Sequence, residues 1–267
     1  MKDIASIKPP VDHDGLEAAV EAAVKAGEHA ASKQHDVIEN LKDDGSAITE
    51  ADYECEQLAR DSLRATELGH PILGEEYGKS AELGNTYWVI DPIDGTRNYA
   101  NGFPQYATSI GFVQDGRLEA GAVYEPATET LFAGAHNSGV YVNGEHASVS
   151  DHMEADSANY IVTGKWRSRA IGRYTYGQQL PSKLVKYLGC ASLALAYQAV
   201  GRADAGAVGT LAPWDVAAGI CLIREAGGTI TGFDGSVDWK TVQKGGFTMD
   251  NDTEEVRNAV TEPLERS

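Results

Sequence analysis

Positive charge is what this chain has least of: 22 lysines and arginines stand against 40 aspartates and glutamates in 267 residues, a formal net charge of −18. Such a surface repels nucleic acid and anionic membranes unless a local basic patch intervenes, so neither is an expected partner. No apolar run approaches the ~20 residues that span a bilayer, and Met1-Lys2-Asp3-Ile4 lacks the core of a signal peptide. A cytoplasmic location is expected. Cysteine is sparse: Cys55, Cys190 and Cys221 are odd in number, far apart and set in apolar or helical contexts. They predict buried free thiols rather than disulfides or a zinc site. The chain also lacks His-Glu-x-x-His, Gly-x-Ser-x-Gly, a P-loop and Gly-x-Gly-x-x-Gly. Zincin, serine hydrolase and nucleotide-fold chemistries therefore drop out.

The acid excess that is present keeps a surface hydrated where salt screens its self-repulsion, which predicts adaptation to high internal salt. One segment departs from it. Gly164 to Gly189 holds no acid but carries Lys165, Arg167, Arg169, Arg173, Lys183 and Lys186. Asp12-His13-Asp14 and Asp250-Asn251-Asp252 lack the glycine and distal glutamate of a calcium loop, and each precedes a helix, so they read as caps.

Leu16, Val20, Ala23, Val24, Gly27 and Ala31 recur at steps of three and four, predicting a helix over Asp14 to Lys33. Thr49 caps a second helix, with Asp52 three residues on and Ala51, Cys55, Leu58, Ala59, Ser62 and Leu63 on one face. Short strands are expected at Pro71 to Leu73 and at Tyr87 to Ile90, each ending in carboxylates. Runs at Ala107 to Val113, Leu118 to Tyr124, Thr130 to Ala133 and Val140 to Val142 predict an antiparallel meander turning at Asp115-Gly116. Beyond it come strands at Ser157 to Thr163 and Ala203 to Val208, and helices at Ser192 to Val200, Trp214 to Ala226 and Thr253 to Val260. No linker or repeat divides the chain, so residues 1–267 are expected to form one catalytic unit, with halves of about 1–150 and 151–267. Helices and strands alternating in blocks favour a layered α+β sandwich over a doubly wound parallel sheet.

Trp88-Val89-Ile90-Asp91-Pro92-Ile93-Asp94-Gly95-Thr96-Arg97-Asn98 is the most informative stretch. An apolar strand runs into two carboxylates. Pro92 fixes φ where a helix could begin, and Gly95 lets backbone amides approach a ligand such as phosphate. Asp91 and Asp94, three apart, are aimed by a single turn at one point, and hard oxygen ligands of this kind suit Mg²⁺. Taken singly, each acid has a plainer explanation. Asp91 and Asp94 offset a helix dipole, as does Asp215 after Trp214; Asp52 completes a capping box with Thr49, and Glu75 is an acid in a turn.

Their company changes the balance. Gly74-Glu75-Glu76, then Asp91-Pro92-Ile93-Asp94-Gly95-Thr96, then Trp214-Asp215 leading to Glu225-Ala226-Gly227-Gly228, resembles the inositol monophosphatase superfamily. Lys42 through Asp52, with Thr49 before Asp52, is similar to that family's early lysine and threonine-aspartate element, as is Gly201-Arg202-Ala203-Asp204-Ala205 to the segment before its final aspartate. The resemblance runs from about Gly15 to Gly228. It implies an αβαβα layered sandwich, usually a homodimer, that hydrolyses a small phosphate monoester with two or three Mg²⁺ ions. By the same resemblance Glu75, Asp91, Asp94, Asp215 and the Ile93 carbonyl hold metal, and Glu75 also counts among the catalytic residues. Gly95, Thr96 and Ala191, with Asp94 and Asp215, meet the phosphate or substrate. The Thr96 hydroxyl and Asp52 orient and deprotonate the attacking water.

An inositol 1-phosphate-like substrate is expected, with fructose 1,6-bisphosphate or a 3′(2′),5′-bisphosphonucleotide as alternatives. A catalytically silent sugar-phosphate-binding protein is the rival from another class. Members acting on inositol phosphate commonly place a glutamate between the positions of Asp204 and Trp214, and here the flanking motifs put Val208 there. Lys165, Arg167 or Lys186 at the mouth of the site would favour a bisphosphate.

Overall fold

The computed structural model describes residues 4–36, 38–43, 45–164, 173–236, 238–240 and 245–265. After α1 (Ile4–Ile7), α2 covers Asp14–Lys33 as the periodicity predicts. His13 is its cap, accepting the Leu16 amide on Nδ1 at 3.1 Å. The inner face of α2 is largely alanine and ends at Ala30, while Ala31 is exposed. Small side chains let the helix lie close to the sheet beneath it. A β1 (Asn40–Leu41) and β2 (Ala47–Ile48) hairpin leads to α3 (Glu50–Arg64). The buried face of α3 differs from the expected one, because it encloses Asp52, Glu56 and Arg60 instead of Leu58 and Ser62.

The main sheet contains β3 (Ile72–Gly74), β4 (Gly78–Lys79), β5 (Tyr87–Asp94), β6 (Ala107–Gln114), β7 (Arg117–Glu125), β8 (Thr130–Ala135), β9 (Gly139–Val142) and β10 (Glu145–Ala147). Its order is β10-β9-β8-β7-β6-β5-β3-β4, with the meander from β6 to β9 antiparallel as expected, β5 antiparallel to β6 as well, and β3 parallel to β5. Every residue of β5 is buried, which marks a strand covered on both faces.

A short α4 (Thr96–Ala100) follows β5, and α5 (Arg173–Gln179), α6 (Ala191–Ala199), α7 (Pro213–Glu225) and α8 (Glu254–Glu265) come later. The second sheet has β11 (Tyr160–Thr163), β12 (Val185–Lys186), β13 (Ala205–Val208), β14 (Thr229–Gly232) and β15 (Phe247–Asp250) in the order β12-β11-β13-β15-β14. β11 starts three residues later than the sequence suggests. The Asn159 amide is taken by the Asp204 side-chain carboxylate at 2.6 Å while its carbonyl accepts the Asp204 amide, so the regular ladder with β13 begins only at Tyr160.

Three apolar cores separate these elements into layers. One lies between α2, α3 and the main sheet, a second between the main sheet, α6 and α7, and a third between the second sheet, α5 and α8. The result is the expected αβαβα sandwich. No helix among the described residues is long and apolar enough to cross a membrane.

Candidate active site

The stretch around Asp91 departs from its expected geometry. β5 does not stop at Ile90 but continues through Asp94, and the helix begins at Thr96 rather than at Pro92. Asp91 pairs with Ser109 and Asp94 with Ala107 across β6, so one extra residue is accommodated between them. In a regular strand, residues three apart face opposite sides; this irregularity returns both carboxylates to one side. Pro92 is tolerated there because a bulged position needs no ladder N–H. Its carbonyl accepts the Thr108 hydroxyl at 2.8 Å. Gly95 then takes φ 87°, and a Cβ there would lie 2.9 Å from the Gln105 carbonyl and 3.2 Å from Cys190 Cβ. Only glycine fits this corner.

Three acids converge at the end of β5. Asp91, Asp94 and Asp215 each offer a carboxylate oxygen within 4.8 Å of the others. Asp91 is 1% exposed, and neither of its oxygens has a hydrogen-bond partner. Burial pushes its carboxyl well above the usual carboxylate range, and Glu75, Asp94, Asp215 and Asp52 add to the effect. Asp94 is raised by burial as well, and is partly drawn back by donors from the start of α6. The Ser192 amide and the Cys190 thiol reach its Oδ2 at 2.5 and 3.2 Å. Asp215, in the first turn of α7, accepts the Ala212 amide at 2.6 Å. A buried carboxylate with no donor, surrounded by four other acids, has the chemistry of a cation site, since such a cluster must be neutralised by cations or protons.

Glu75 lies on the same cavity, at the turn after β3, and Lys42 Nζ donates to Glu75 Oε1 and Glu76 Oε1 at 2.8 and 2.7 Å. Burial works to lower the Lys42 ammonium, but the two glutamates outweigh it and hold it above its ordinary value. Glu76 is pushed up to about 7, chiefly by burial.

Asp52 makes two separate sets of contacts. Its Oδ2 accepts the Thr49 amide and hydroxyl at 2.8 and 2.6 Å, completing the capping box of α3. Its Oδ1 faces the site and accepts the Thr96 hydroxyl at 3.1 Å. Burial raises the Asp52 carboxyl to about 6. Thr96 Oγ1 also lies 3.0 Å from the Ile93 carbonyl.

Glu75, Asp91, Asp94, Thr96 and Asp215 line a cavity of about 650 Å³ whose wall also includes Ile93, Gly95, Ala191, Thr210 and Trp214, with Asp52 behind it. Arg97, at its rim, is the only lysine or arginine of the wall among the described residues. Lys165 and Arg167 fall outside the described residues, as does Arg169. Lys186 is in β12, donates to Asn159 Oδ1 at 3.1 Å and is not part of the wall. Val208 is fully buried at the end of β13, between Thr163 and Phe247.

Sequence reasoning overlooked Glu56, Arg60 and the donor role of Cys190, and gave Lys42 no partner. A signal existed for the first two: Asp52, Glu56 and Arg60 follow at steps of four along the stripe that contains Cys55, Ala59 and Leu63. Acids and a base in a buried stripe require partners.

Residues 12–266 match the family described as the inositol monophosphatase family. A fructose-1,6-bisphosphatase/inositol-1-monophosphatase of Thermotoga maritima is 35% identical over 70% of this chain and 72% of its own. The Nus factor SuhB of Pseudomonas aeruginosa is 36% identical over 88% of this chain and 91% of its own. Among solved structures, an IMPase of Thermotoga maritima superposes with a TM-score of 0.84 at 27% identity, covering 95% of this chain and 98% of the other.

Proposed function

As the chain belongs to the inositol monophosphatase family, we propose that it is a Mg²⁺-dependent phosphomonoesterase acting on small polyol or sugar phosphates, inositol 1-phosphate among them. The observation that carries this reading is Asp91, a carboxylate buried without any donor and ringed by Glu75, Asp94, Asp215 and Asp52. A silent copy of the fold has no physical reason to keep that destabilising arrangement.

Asp91, Asp94, Asp215, Glu75 and the Ile93 carbonyl would hold the ions. Bound Mg²⁺ would supply Lewis-acid polarisation of the phosphoryl group and a lowered pKa for water. The remaining work falls to the chain. Thr96 donates its hydroxyl proton to Asp52, which leaves an Oγ1 lone pair to accept a proton from an attacking water. Asp52, with a carboxyl near 6, can take up the proton that Thr96 passes on. Gly95 and Thr96, at the left-handed corner, line the cavity together with Ala191, and their amides would hold the ester phosphate.

The test is phosphate release across inositol 1-phosphate, fructose 1,6-bisphosphate and 3′-phosphoadenosine 5′-phosphate, with and without Mg²⁺. Mg²⁺-dependent release from at least one of them is expected. The relatives named Nus factor SuhB supply a second reading, in which the chain acts by binding rather than by hydrolysis. No release from any ester, with Mg²⁺ nonetheless bound, would favour it.

A further inference from the structure

Beneath the turn that carries Glu75 lies an ion pair with almost no access to water: Arg60 Nε donates to Glu56 Oε1 at 2.7 Å, and the two side chains are 3% and 0% exposed. Ion pairs this deep contribute little to stability compared with apolar residues of the same size, so geometry is the better place to look for their effect. Glu56 Oε2 accepts the Glu76 amide at 2.6 Å, and Oε1 accepts the Tyr77 amide at 3.2 Å. Arg60 reaches past the carboxylate to the Gly78 carbonyl and lies 5.6 Å from the centre of the Tyr77 ring. The turn is thus grasped from α3 over consecutive residues. On its other side, the Glu75 amide donates to the Ile90 carbonyl at 3.2 Å, one residue before Asp91.

Gly74 reports how tight this fit is, because a Cβ built there would fall 2.0 Å from Glu56 Oε1. Glu56 sits one helical turn beyond Asp52 on the same buried face of α3. One rigid helix therefore fixes the Thr96 hydroxyl through Asp52 and the Glu75 turn through Glu56.

We propose that Glu56 is a positioning residue for the cation site: its carboxylate, held by Arg60, anchors the amides of Glu76 and Tyr77 and so sets the Glu75 side chain opposite Asp91. The inference rests on the metal reading given above. Glu56→Gln keeps the size of the side chain but replaces one acceptor oxygen with a donor. Gly74→Ala leaves every charge in place and pushes the carboxylate away. Val256→Ala, at a fully buried apolar position of α8, is the control for stability loss alone.

Mn²⁺ binding to each purified chain, read from the electron paramagnetic resonance of the free ion alongside thermal melting, separates the alternatives. Glu56→Gln and Gly74→Ala are expected to bind Mn²⁺ about 10- to 100-fold more weakly than wild type, the usual effect of removing a partner that orients a ligand. Val256→Ala should melt earlier and bind normally. Variants that bind within about twofold of wild type, or a control that weakens as much as they do, would overturn the proposal.

Should neither variant fold, amide exchange in the wild-type chain decides: Mg²⁺ must slow exchange at the Glu76 and Tyr77 amides, and unchanged rates would overturn the proposal. A wild-type chain that takes up no Mn²⁺ removes the metal reading and this inference together. Normal binding by the variants removes the inference alone.

Discussion

Thr96 Oγ1 lies 3.1 Å from Asp52 Oδ1, joining the first residue of α4 to the first turn of α3 across 44 positions of sequence. Asp52 reaches this hydroxyl with the oxygen that its capping box does not use. The helix cap and the acceptor of the Thr96 hydroxyl are therefore two ends of one carboxylate.

That division predicts separable effects. Thr96→Val, which removes only the hydroxyl, should lower kcat by about 10²- to 10⁴-fold, the range for losing a positioned proton acceptor, with Mn²⁺ affinity unchanged. Asp52→Asn should show a comparable loss of kcat together with about 0.5–2 kcal/mol of lost stability from the weakened cap. Thr96→Ser should retain most of the activity. Steady-state kinetics and denaturant unfolding on the same preparations check all three.

Much of the architecture is legible in the sequence. Helix α2 was readable because its period is long and uninterrupted, and the meander because Asp115-Gly116 marks a tight turn between alternating runs. What escaped was decided by tertiary contacts. The sequence shows Pro92 as a helix opener, whereas pairing with β6 keeps Asp91 to Asp94 extended and supplies the irregularity that aligns the two acids. Glu56 and Arg60 went unread, because only the Gly74–Gly78 turn lying over them makes them buried. The carboxylate set was readable through resemblance. Its distinguishing feature, the missing donors around Asp91, is a property of packing alone.

Asp91→Asn should abolish Mg²⁺-dependent turnover and leave the metal-free fold intact, because an amide costs less to bury there than a carboxylate without donors. Mg²⁺ at about 100 times its dissociation constant should stabilise the wild-type chain by about 2.7 kcal/mol and the variant hardly at all. Melting temperatures with and without Mg²⁺ measure this. Equal Mg²⁺ stabilisation of the two chains would contradict the role given to Asp91.

The same cluster sets a pH dependence. Asp52 is raised to about 6, Glu76 to about 7, and Asp91 and Asp94 upward, in each case mainly by burial. The folded metal-free chain thus binds protons more tightly than the unfolded chain, whose carboxylates titrate near about 4. The stabilisation from Asp52 and Glu76 is fully present below that value and is lost as pH rises through about 6 to 7, and Asp91 and Asp94 act in the same direction. Mg²⁺ has to displace those protons. The rise in melting temperature on adding Mg²⁺ should therefore be larger at pH 7.5 than at pH 5.5, and an equal rise at both would refute the assignment.

Substrate size turns on what stands at the cavity rim. Arg97 is 66% exposed and lies 3.6 Å from Glu39, a loose pairing that leaves its guanidinium available to a second anionic group. Lys186 instead holds Asn159 at the edge of the second sheet. If the chain takes fructose 1,6-bisphosphate, Arg97→Ala should raise KM for it about tenfold, equivalent to the ~1.4 kcal/mol of one solvent-exposed charged contact. The same change should move KM for inositol 1-phosphate by less than twofold, and Lys186→Ala should alter neither. A bisphosphate KM that responds to Lys186 and ignores Arg97 would relocate the second phosphate to the basic segment between Gly164 and Gly189.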